Sequence, residues 1–394
     1  MKIVHIITRM ILGGAQENTL ITCRGLVRRG HDVTLITGPS LGPEGDLLDL
    51  SDQQDFKVIM VDELVRPISP MRDAAAYLKI RRLLADIRPD VVHTHSAKAG
   101  IIGRFAASAM AEGGKPLIVH SVHGLSFHDY QSRLLNWFYI ALEKAAAAKT
   151  DYFITVADAM TEKSLAAGIG SPEQYTTVYS AIDQPGFYER LPKSETESFR
   201  QKYDISPRSV VLITVARLFE LKGHDYIISS AVELAERFPE AVWIFAGDGS
   251  LSGEYKQRVR DLGIHNKVRF TSLLPPEQIP LAIQSSDILV HCSLREGLAR
   301  AIPQAMLCGK PVVAFDLDGS GEVVNSETGR LVEPGNIAEL CRACSELIKD
   351  KQLRETLGAS AERHLADKFR PEVMVDNIER IYSLEGRAGK YEKF

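Results

Sequence analysis

Residues 210–228, VVLITVARLFELKGHDYII, hold the pattern that decides the fold of this chain. A mainly apolar run, residues 210–216, in which Thr214 is the one polar residue, is followed by a short loop and then by the start of a helical pattern. The run lacks the alternation of apolar and polar residues that a strand with one solvent-exposed face shows, so we predict that both faces of the strand are covered. A covered strand that leads directly into a helix is typical of a parallel sheet with helices on both sides.

The same strand-then-helix pattern recurs along almost the whole chain. In the first half the predicted strands are residues 3–8, 32–37, 56–61, 90–95, 117–122 and 152–157. In the second half they are residues 210–216, 241–247, 267–272, 287–292, 310–315 and 329–334. We therefore predict an α/β protein with two Rossmann-like, doubly wound domains. Ligands of such sheets bind at the carboxyl ends of the strands, so we expect functional loops around a cleft shared by the two domains.

A polar stretch rich in Gly and Pro, residues 168–208, interrupts the alternation and predicts the domain junction. We expect an N-terminal domain at 1–187, a C-terminal domain at 188–371 and a helical C-terminal segment at 372–394.

Composition excludes several classes of protein. The net charge of −4 leaves no excess of Lys and Arg for a dedicated nucleic-acid binder. Five cysteines without regular spacing indicate a reducing, cytoplasmic setting, and the C-x-x-C of Cys341 and Cys344 is predicted to be packing thiols on a helix. No window approaches ~20 uninterrupted apolar residues, so we expect a cytoplasmic or peripheral protein rather than one that spans a membrane.

Two loops of the second half carry candidate ligand-binding groups. Arg217 and Lys222 follow one strand and precede a helix, where a guanidinium, an ammonium and a helix dipole suit a diphosphate. Gly247 and Gly249 end another strand and permit a tight turn close to a ligand. The alternatives are a solvated basic loop and an ordinary turn.

The stretch SLREGLARAIPQAMLCGKPVVAF, residues 293–315, supplies a third loop. Glu296 lies just past a strand, and Gly297 lets the chain turn tightly. We expect the N–H groups of Leu298 and Ala299 to begin a helix and to point into the cleft. A glycine-rich turn after the next strand, DLDGSG, is another candidate loop.

Gln304 is predicted to lie along that helix with its amide turned toward the cleft. The alternative makes Glu296 an acid favoured by the helix dipole and Gln304 an ordinary surface residue.

The first half offers Gly13 and Gly14 after its first strand and His123 after its fifth. The G-x-G-x-x-G motif of a dehydrogenase is absent, and the second strand ends in Thr37 and Gly38 rather than an acid, which counts against NAD binding. His123 taken alone could be a structural imidazole.

Taken together, these loops resemble those of the retaining glycosyltransferases of family 4, which have the GT-B fold. The resemblance covers nearly the whole chain. It is carried in order by GGA (13–15), HG (123–124), IDQPGF (182–187), VARLFELKG (215–223), AGDG (246–249), REGLARAIPQAM (295–306), CGKPVVA (308–314) and DLDGSGEVV (316–324).

The resemblance implies a retaining, metal-independent transfer from a UDP- or GDP-sugar to a saccharide or lipid-linked acceptor in polysaccharide or glycolipid biosynthesis. No cofactor is implied, because the nucleotide sugar is the substrate. The resemblance also implies that the C-terminal helix, 372–394, packs back on the first domain.

The resemblance further implies roles for single residues. Arg217 and Lys222 bind the diphosphate and assist its departure, and Glu296 accepts hydrogen bonds from the donor sugar. His123 contacts the sugar near the reacting carbon, and Gly14 allows close approach of the backbone to donor or acceptor. The donor-binding set is Gly14, Arg217, Lys222, Gly247, Glu296, Gly297, Leu298, Ala299 and Gln304.

Gln304 departs from the family pattern Glu-x7-Glu, whose second acid usually binds the ribose hydroxyls. An amide replaces a charge-assisted hydrogen bond of ~1.5–3 kcal/mol with a neutral one of ~0.5–1.5 kcal/mol, which predicts donor binding weaker by roughly tenfold. Gln16 likewise occupies the position of an acid in the family's first loop.

One stretch predicts contact with a membrane surface. Residues 125–144, LSFHDYQSRLLNWFYIALEK, combine aromatic and aliphatic side chains with Arg133 and Lys144, as an interfacial amphipathic helix does. Residues 72–82 add a basic helix face suited to anionic lipid. The alternative is that the aromatic side chains belong to the core and the charges are solvated.

Two other functions remain open from the sequence. One is a catalytically silent nucleotide-sugar-binding protein of the same fold, which Gln304 favours but the retained Arg217, Lys222, Glu296 and His123 oppose. The other is an epimerase, for which we identify no suitably placed acids.

Overall fold

The computed structural model describes residues 1–40, 45–48, 55–110 and 114–383. The chain divides into two units. Unit 1 comprises Met1–Ala181 and the segment that begins at Arg370, and unit 2 comprises Ile182–Phe369. The chain enters and leaves unit 2 at adjacent positions, because the N–H of Ile182 donates to the carbonyl of Phe369 (2.8 Å). The boundaries therefore lie at these two residues rather than after residues 187 and 371.

Unit 1 contains a parallel sheet whose strands run in the order β3-β2-β1-β4-β5-β6-β7. The strands are β1 Lys2–Arg9, β2 Asp32–Gly38, β3 Lys57–Met60, β4 Val91–His95, β5 Leu117–Val122, β6 Tyr152–Thr155 and β7 Tyr175–Thr177. The helices between them are α1 Gly14–Arg28, α2 Pro70–Ile87, α3 Ala97–Ser108, α4 Arg133–Ala147 and α5 Asp158–Ala166.

Unit 2 contains a second parallel sheet, with the order β10-β9-β8-β11-β12-β13. Its strands are β8 Val210–Val215, β9 Ala241–Ala246, β10 Val268–Ser272, β11 Ile288–His291, β12 Val312–Phe315 and β13 Gly329–Val332. Its helices are α6 Lys193–Lys202, α7 His224–Arg237, α8 Ser252–Asp261, α9 Ile279–Gln284, α10 Ala301–Leu307, α11 Ser320–Val323, α12 Ile337–Lys349 and α13 Lys351–Leu365. The last described helix, α14 Pro371–Tyr382, belongs to unit 1.

The predicted α/β class and the doubly wound sheets are confirmed, and alternate strand residues supply apolar side chains to both faces of the sheet. In unit 1, Ile3 and Ile7 of β1 pack on the side of α1 and α14, whereas Val4 and Ile6 pack on the side of α2 and α3. This two-sided burial explains why most of the strands are mainly apolar and lack an alternation of apolar and polar residues. Met374 is among the α14 residues in the unit 1 core; residues 384–394 of the predicted C-terminal segment lie outside the described residues.

The junction stretch, residues 168–208, is not only a polar linker, because it holds β7 and α6. β7 is three residues long and contains no fully buried residue, and Phe199 is the buried residue of α6. Neither element therefore shows the apolar pattern from which strands and helices are predicted. The predicted packing role of Cys341 and Cys344 is confirmed, since both are buried as free thiols in α12.

In both sheets the strand order reverses next to the first strand of the unit. In unit 2 the reversal falls between β8 and β11. Crossover helices leave opposite faces of the sheet at such a point, which opens a crevice at the carboxyl ends of the two strands. The loops after β8 and β11 are those that carry Lys222 and Glu296.

Candidate functional site

The loops at the carboxyl end of the unit 2 sheet are joined to one another by backbone hydrogen bonds. In the loop after β8, Leu218 donates to the carbonyl of Asp248 in the loop after β9 (3.0 Å). The carbonyl of Leu221 accepts from Leu294 in the loop after β11 (2.7 Å). The three loops therefore form one connected surface at the crevice.

Two glycines make this close packing possible. Gly247 has φ 153°, and a Cβ there would lie 2.1 Å from the carbonyl oxygen of Ala216. Gly223 has φ 75°, and a Cβ there would lie 1.8 Å from the carbonyl oxygen of Cys292. Any larger residue at either position would push neighbouring loops apart, so glycine is required by the backbone itself.

An ion pair between Lys222 and Glu296 lies at the centre of this surface. The Lys222 ammonium donates to Oε1 of Glu296, and the Ser293 hydroxyl donates to the same oxygen (3.0 Å). The N–H of Glu296 donates to Oδ2 of Asp318 in the loop after β12 (2.8 Å). The two charged side chains remain 27% and 26% exposed, so both are held in place while still accessible from solvent.

Glu296 is held in its ionised form. Burial alone raises the pKa of its carboxyl, but the charge and hydrogen bond of Lys222, together with the Ser293 hydrogen bond, lower that pKa below its ordinary value. His291, whose Nε2 lies 3.9 Å from Glu296, is neutral at pH 7 because burial lowers its pKa to about 4. The site thus presents a carboxylate that can accept hydrogen bonds from hydroxyl groups and, beside it, a cation that can bind an anion.

Arg217 lies in the loop after β8, and Gln304 lies in α10, the helix that follows the loop after β11. Arg217 is half-buried, with its guanidinium 5.8 Å from the centre of the Phe219 ring. Gln304 is the one residue of α10 that is not buried, so its side chain is the part of that helix which other groups can reach.

The start of α10 differs from the prediction. The helix begins at Ala301, so Leu298 and Ala299 lie in the turn before it rather than in its first turn. Gly297 is in the same turn, and its carbonyl accepts from Gly319 (2.9 Å). The contact with the loop after β12 holds the chain in a turn and delays the helix.

Sequence reasoning missed Ser293, His291 and Asp318. Asp318 lies in the glycine-rich turn that was recognised as a candidate loop, and its left-handed backbone (φ 52°) is a conformation that Asp tolerates better than most residues. Ser293 and His291 left no signal, because a hydroxyl and an imidazole at the end of a strand are also common in cores.

Gly14 and His123 belong to unit 1. Gly14 is the first residue of α1 and is half-buried. His123 follows β5, and its Nε2 lies 3.0 Å from Nδ1 of the buried His95. A cavity of about 240 Å³ adjoins His123 and is lined also by Phe127, Glu143 and Tyr175.

Among the described residues, His5, His93 and His95 form a group with the spacing of metal ligands, their ring nitrogens lying within 4.8 Å of one another. All three are buried. Hydrogen bonds already engage both nitrogens of His93, with Tyr382 (2.5 Å) and Ser121 (2.7 Å).

The aromatic stretch at 125–144 proves to be mostly surface. Helix α4 begins only at Arg133, so residues 125–132 precede it. Leu134 is 77% exposed and Trp137 67% exposed, and Phe138 is also exposed, so the alternative that these side chains form core is wrong. None of the helices in the described part of the chain has the length and apolarity needed to cross a bilayer.

Comparison with known families gives two matches that together cover most of the chain. Residues 195–364 match the family described as glycosyl transferases group 1. Residues 13–180 match the glycosyl transferase 4-like domain.

Two curated relatives are similar over nearly their whole length. The UDP-Gal:alpha-D-GlcNAc-diphosphoundecaprenol alpha-1,3-galactosyltransferase of Escherichia coli is 28% identical over 385 residues, 97% of this chain and 96% of that protein. The D-inositol 3-phosphate glycosyltransferase of Corynebacterium aurimucosum is 26% identical over 391 residues, 94% of this chain and 91% of that protein.

A solved structure supports the fold. Anabaena Alr3699/HepE in complex with UDP-glucose superposes with a TM-score of 0.80 at 23% identity, over 98% of this chain and 100% of that one. At this identity the likeness concerns the fold.

Proposed function

This chain belongs to the group 1 glycosyltransferases, has the GT-B fold and uses a nucleotide-sugar donor in glycan biosynthesis, and we propose that it transfers the sugar of a UDP- or GDP-sugar with retention of anomeric configuration. The Lys222–Glu296 ion pair carries the proposal, because it places a cation and a sugar-binding carboxylate side by side at the switch point of unit 2.

Lys222 and Glu296 bind different parts of the donor. The ammonium of Lys222 and the guanidinium of Arg217 meet the diphosphate, and Glu296 then accepts hydrogen bonds from sugar hydroxyls. Because the carboxylate is already ionised and already oriented by Ser293, little reorganisation is needed when the sugar arrives. Gln304 contacts the ribose, and the glycines at 223 and 247 keep the loops close enough to act together.

Departure of the diphosphate is the step that this geometry can assist. Charge that develops on the leaving phosphate is neutralised by Lys222 and Arg217, so we propose that the reaction needs no metal ion. Asp318, the acid next to Glu296, is occupied by the N–H of Glu296 and so is not placed as the second carboxylate of a double displacement. We therefore propose attack by the acceptor hydroxyl on the face that the diphosphate leaves.

The acceptor that we propose is a saccharide linked to a lipid through a diphosphate. The name of the Escherichia coli relative specifies such an acceptor for that enzyme. In this chain, the exposed apolar face of α4 provides a surface that can rest on the membrane in which a lipid-linked acceptor lies. The proposal places the protein at the cytoplasmic face of the membrane, as a peripheral protein.

The test is transfer from a panel of UDP- and GDP-sugars to a saccharide on a short-chain lipid diphosphate, with and without EDTA, and with NMR analysis of the new anomeric centre. We expect one donor to be consumed, an unchanged rate in EDTA and a product of the donor's anomeric configuration.

A Lys222→Ala enzyme should lose about 10²- to 10³-fold in kcat, as is usual when a group that stabilises developing charge is removed. Lys202→Ala, a change at an exposed lysine of α6, serves as the matched control and should transfer at the wild-type rate. A Lys222→Ala enzyme as active as wild type would overturn the assignment of this site, and a donor that binds without being consumed would indicate a binding protein instead.

A further inference from the structure

Three histidines, carried by the neighbouring strands β1 and β4 and by the loop after β5, form a hydrogen-bonded row in unit 1. Nδ1 of His5, on β1, lies 2.9 Å from Nε2 of His95, the last residue of β4. Nδ1 of His95 lies 3.0 Å from Nε2 of His123, just past β5. The row thus runs from the interior of unit 1 to the half-buried imidazole of His123, for which the family resemblance implies contact with the donor sugar.

The rings meet edge to edge, as N–H···N hydrogen bonds require. The centroids of His5 and His95 are 5.2 Å apart with an angle of 16° between the ring planes, and those of His95 and His123 are 5.3 Å apart at 22°. In each pair the centroids exceed the nitrogen separation by about two ring radii, so the nitrogens point at each other nearly in the plane of the rings. His93 differs, because its ring stacks on the face of the His95 ring, with the two ring centroids 4.3 Å apart.

The two inner rings of the row are neutral. Burial lowers the pKa of His5 to about 3 and the pKa of His95 well below its ordinary value. A neutral imidazole carries one N–H and one bare nitrogen. Each ring that donates on one side must therefore accept on the other, and the direction of donation at one end of the row fixes it at the other end.

The inner end of the row decides that direction. Nε2 of His5 is buried and has no hydrogen-bond partner among the residues that the structure describes. Buried N–H groups without an acceptor are rarer than buried acceptors without a donor, so the proton of His5 is better placed on Nδ1, where it meets His95. His95 then accepts at Nε2 and donates from Nδ1 to Nε2 of His123.

We propose that His5 and His95 are positioning residues which fix His123 as the tautomer protonated on Nδ1, with Nε2 as an acceptor. His123 then meets its substrate as a hydrogen-bond donor through Nδ1. The tautomer follows from the geometry of unit 1 alone, whereas its catalytic consequence rests on the proposed function.

A metal site is the competing interpretation of the same histidines. It would need nitrogens that are engaged in the row itself and in the His93 bonds with Tyr382 and Ser121. Each of those nitrogens would have to give up its present hydrogen bond in order to bind the ion, which costs free energy. The hydrogen-bonded row satisfies the nitrogens without that cost.

The tautomer can be read directly by two-bond ¹H–¹⁵N NMR on protein labelled with [¹⁵N]histidine, with the His123 signals assigned from a His123→Asn variant. We expect the Nδ1–H tautomer in the wild type. His95→Phe keeps a buried ring but removes both nitrogens, and should give His123 a mixture of tautomers. His95→Gln can accept from His5 and donate to His123, and should restore the Nδ1–H form.

Activity should follow the tautomer. We expect His95→Phe to lower kcat about tenfold or more with little change in the KM for donor, and His95→Gln to recover most of the loss. His93→Gln is the matched control: a buried neighbour of His95 outside the row, it should leave the tautomer of His123 unchanged.

Several outcomes would overturn the proposal. They are an Nε2–H tautomer in the wild type, an unchanged tautomer in His95→Phe, and stoichiometric Zn²⁺ binding that His5→Leu abolishes. A changed tautomer without a change in kcat would overturn the positioning role. Because the tautomer is read without substrate, a wild-type protein that transfers no sugar would contradict the proposed function and not the row.

Discussion

Gln304 is the residue at which this chain departs from the acidic pair of its family. The structure leaves its side chain as the accessible part of an otherwise buried α10. An amide at this position can still accept one hydrogen bond and donate another, so it changes the strength of a contact rather than removing it. Under the proposed function, the departure therefore bears on donor affinity and not on the existence of the reaction.

We predict that Gln304→Glu strengthens binding of the donor by about tenfold, because a carboxylate accepts charge-assisted hydrogen bonds from the ribose hydroxyls. Calorimetric titration with the preferred nucleotide sugar measures the change. Gln257→Glu, the same replacement at an exposed position of α8, should leave the affinity unaltered. An affinity that does not move in Gln304→Glu would show that residue 304 does not touch the donor.

The sequence pattern of helix α4 is compatible with two different environments for the helix. Its aromatic and aliphatic side chains recur at helical spacing, which is equally typical of a helix packed in a core and of one on an interface. In unit 1, α4 instead turns Leu134 and Trp137 to solvent, and α3 lies between it and α2. Arg81 and Arg82 of α2 are exposed in the same helical layer.

We predict that the wild type binds vesicles that contain anionic lipid and that Leu134→Ala with Trp137→Ala weakens binding at least about tenfold, since each apolar side chain contributes ~1.5–3 kcal/mol when buried. Vesicle flotation measures it. Stability should be nearly unchanged because both side chains are exposed in the folded protein. Leu262→Ala, at an exposed leucine of unit 2, is the control. Failure of the wild type to float with any such vesicle would refute the membrane contact.

The two units differ in the number of buried, neutral histidines that they contain. Burial lowers the pKa of His5 to about 3 and those of His224 and His291 to about 4. Burial also lowers the pKa of His93, His95 and His120 in unit 1 well below the ordinary value. Unit 1 therefore holds four of these rings and unit 2 holds two, among the residues that the structure describes.

We predict that acid destabilises unit 1 more steeply than unit 2. A histidine whose pKa is lowered by folding stabilises the fold fully above its unfolded pKa of about 6.5, and this stability is lost as pH falls toward the folded pKa, by up to ~1.4 kcal/mol per ring per pH unit. Hydrogen exchange in urea at pH 7, 6 and 5, followed by mass spectrometry on peptides from β4 and β9, compares the units. Equal slopes, or an earlier loss of protection in β9, would contradict the prediction.

The sequence alone was enough to predict the fold class, the strand positions to within a few residues and the loops that meet at the carboxyl edge of the unit 2 sheet. Mainly apolar runs without alternation indicate strands covered on both faces, and a parallel order then places the carboxyl end of every strand, with its loop, on one edge of the sheet. Lys222 and Glu296 were for this reason identifiable as neighbours although 74 positions separate them in the chain.

The contacts between side chains of different elements, the start of α10 and the exposure of α4 could be known only from the tertiary structure. The ion pair, the contact of Asp318 with the backbone of Glu296 and the histidine row depend on distances between loops and strands that no local pattern encodes. Helix α10 begins later than predicted because Gly297 is held by a loop from elsewhere in the chain. The exposure of α4 depends on which of its faces packs against its neighbours. Local propensity specifies elements, but which side chains meet is set by how those elements pack.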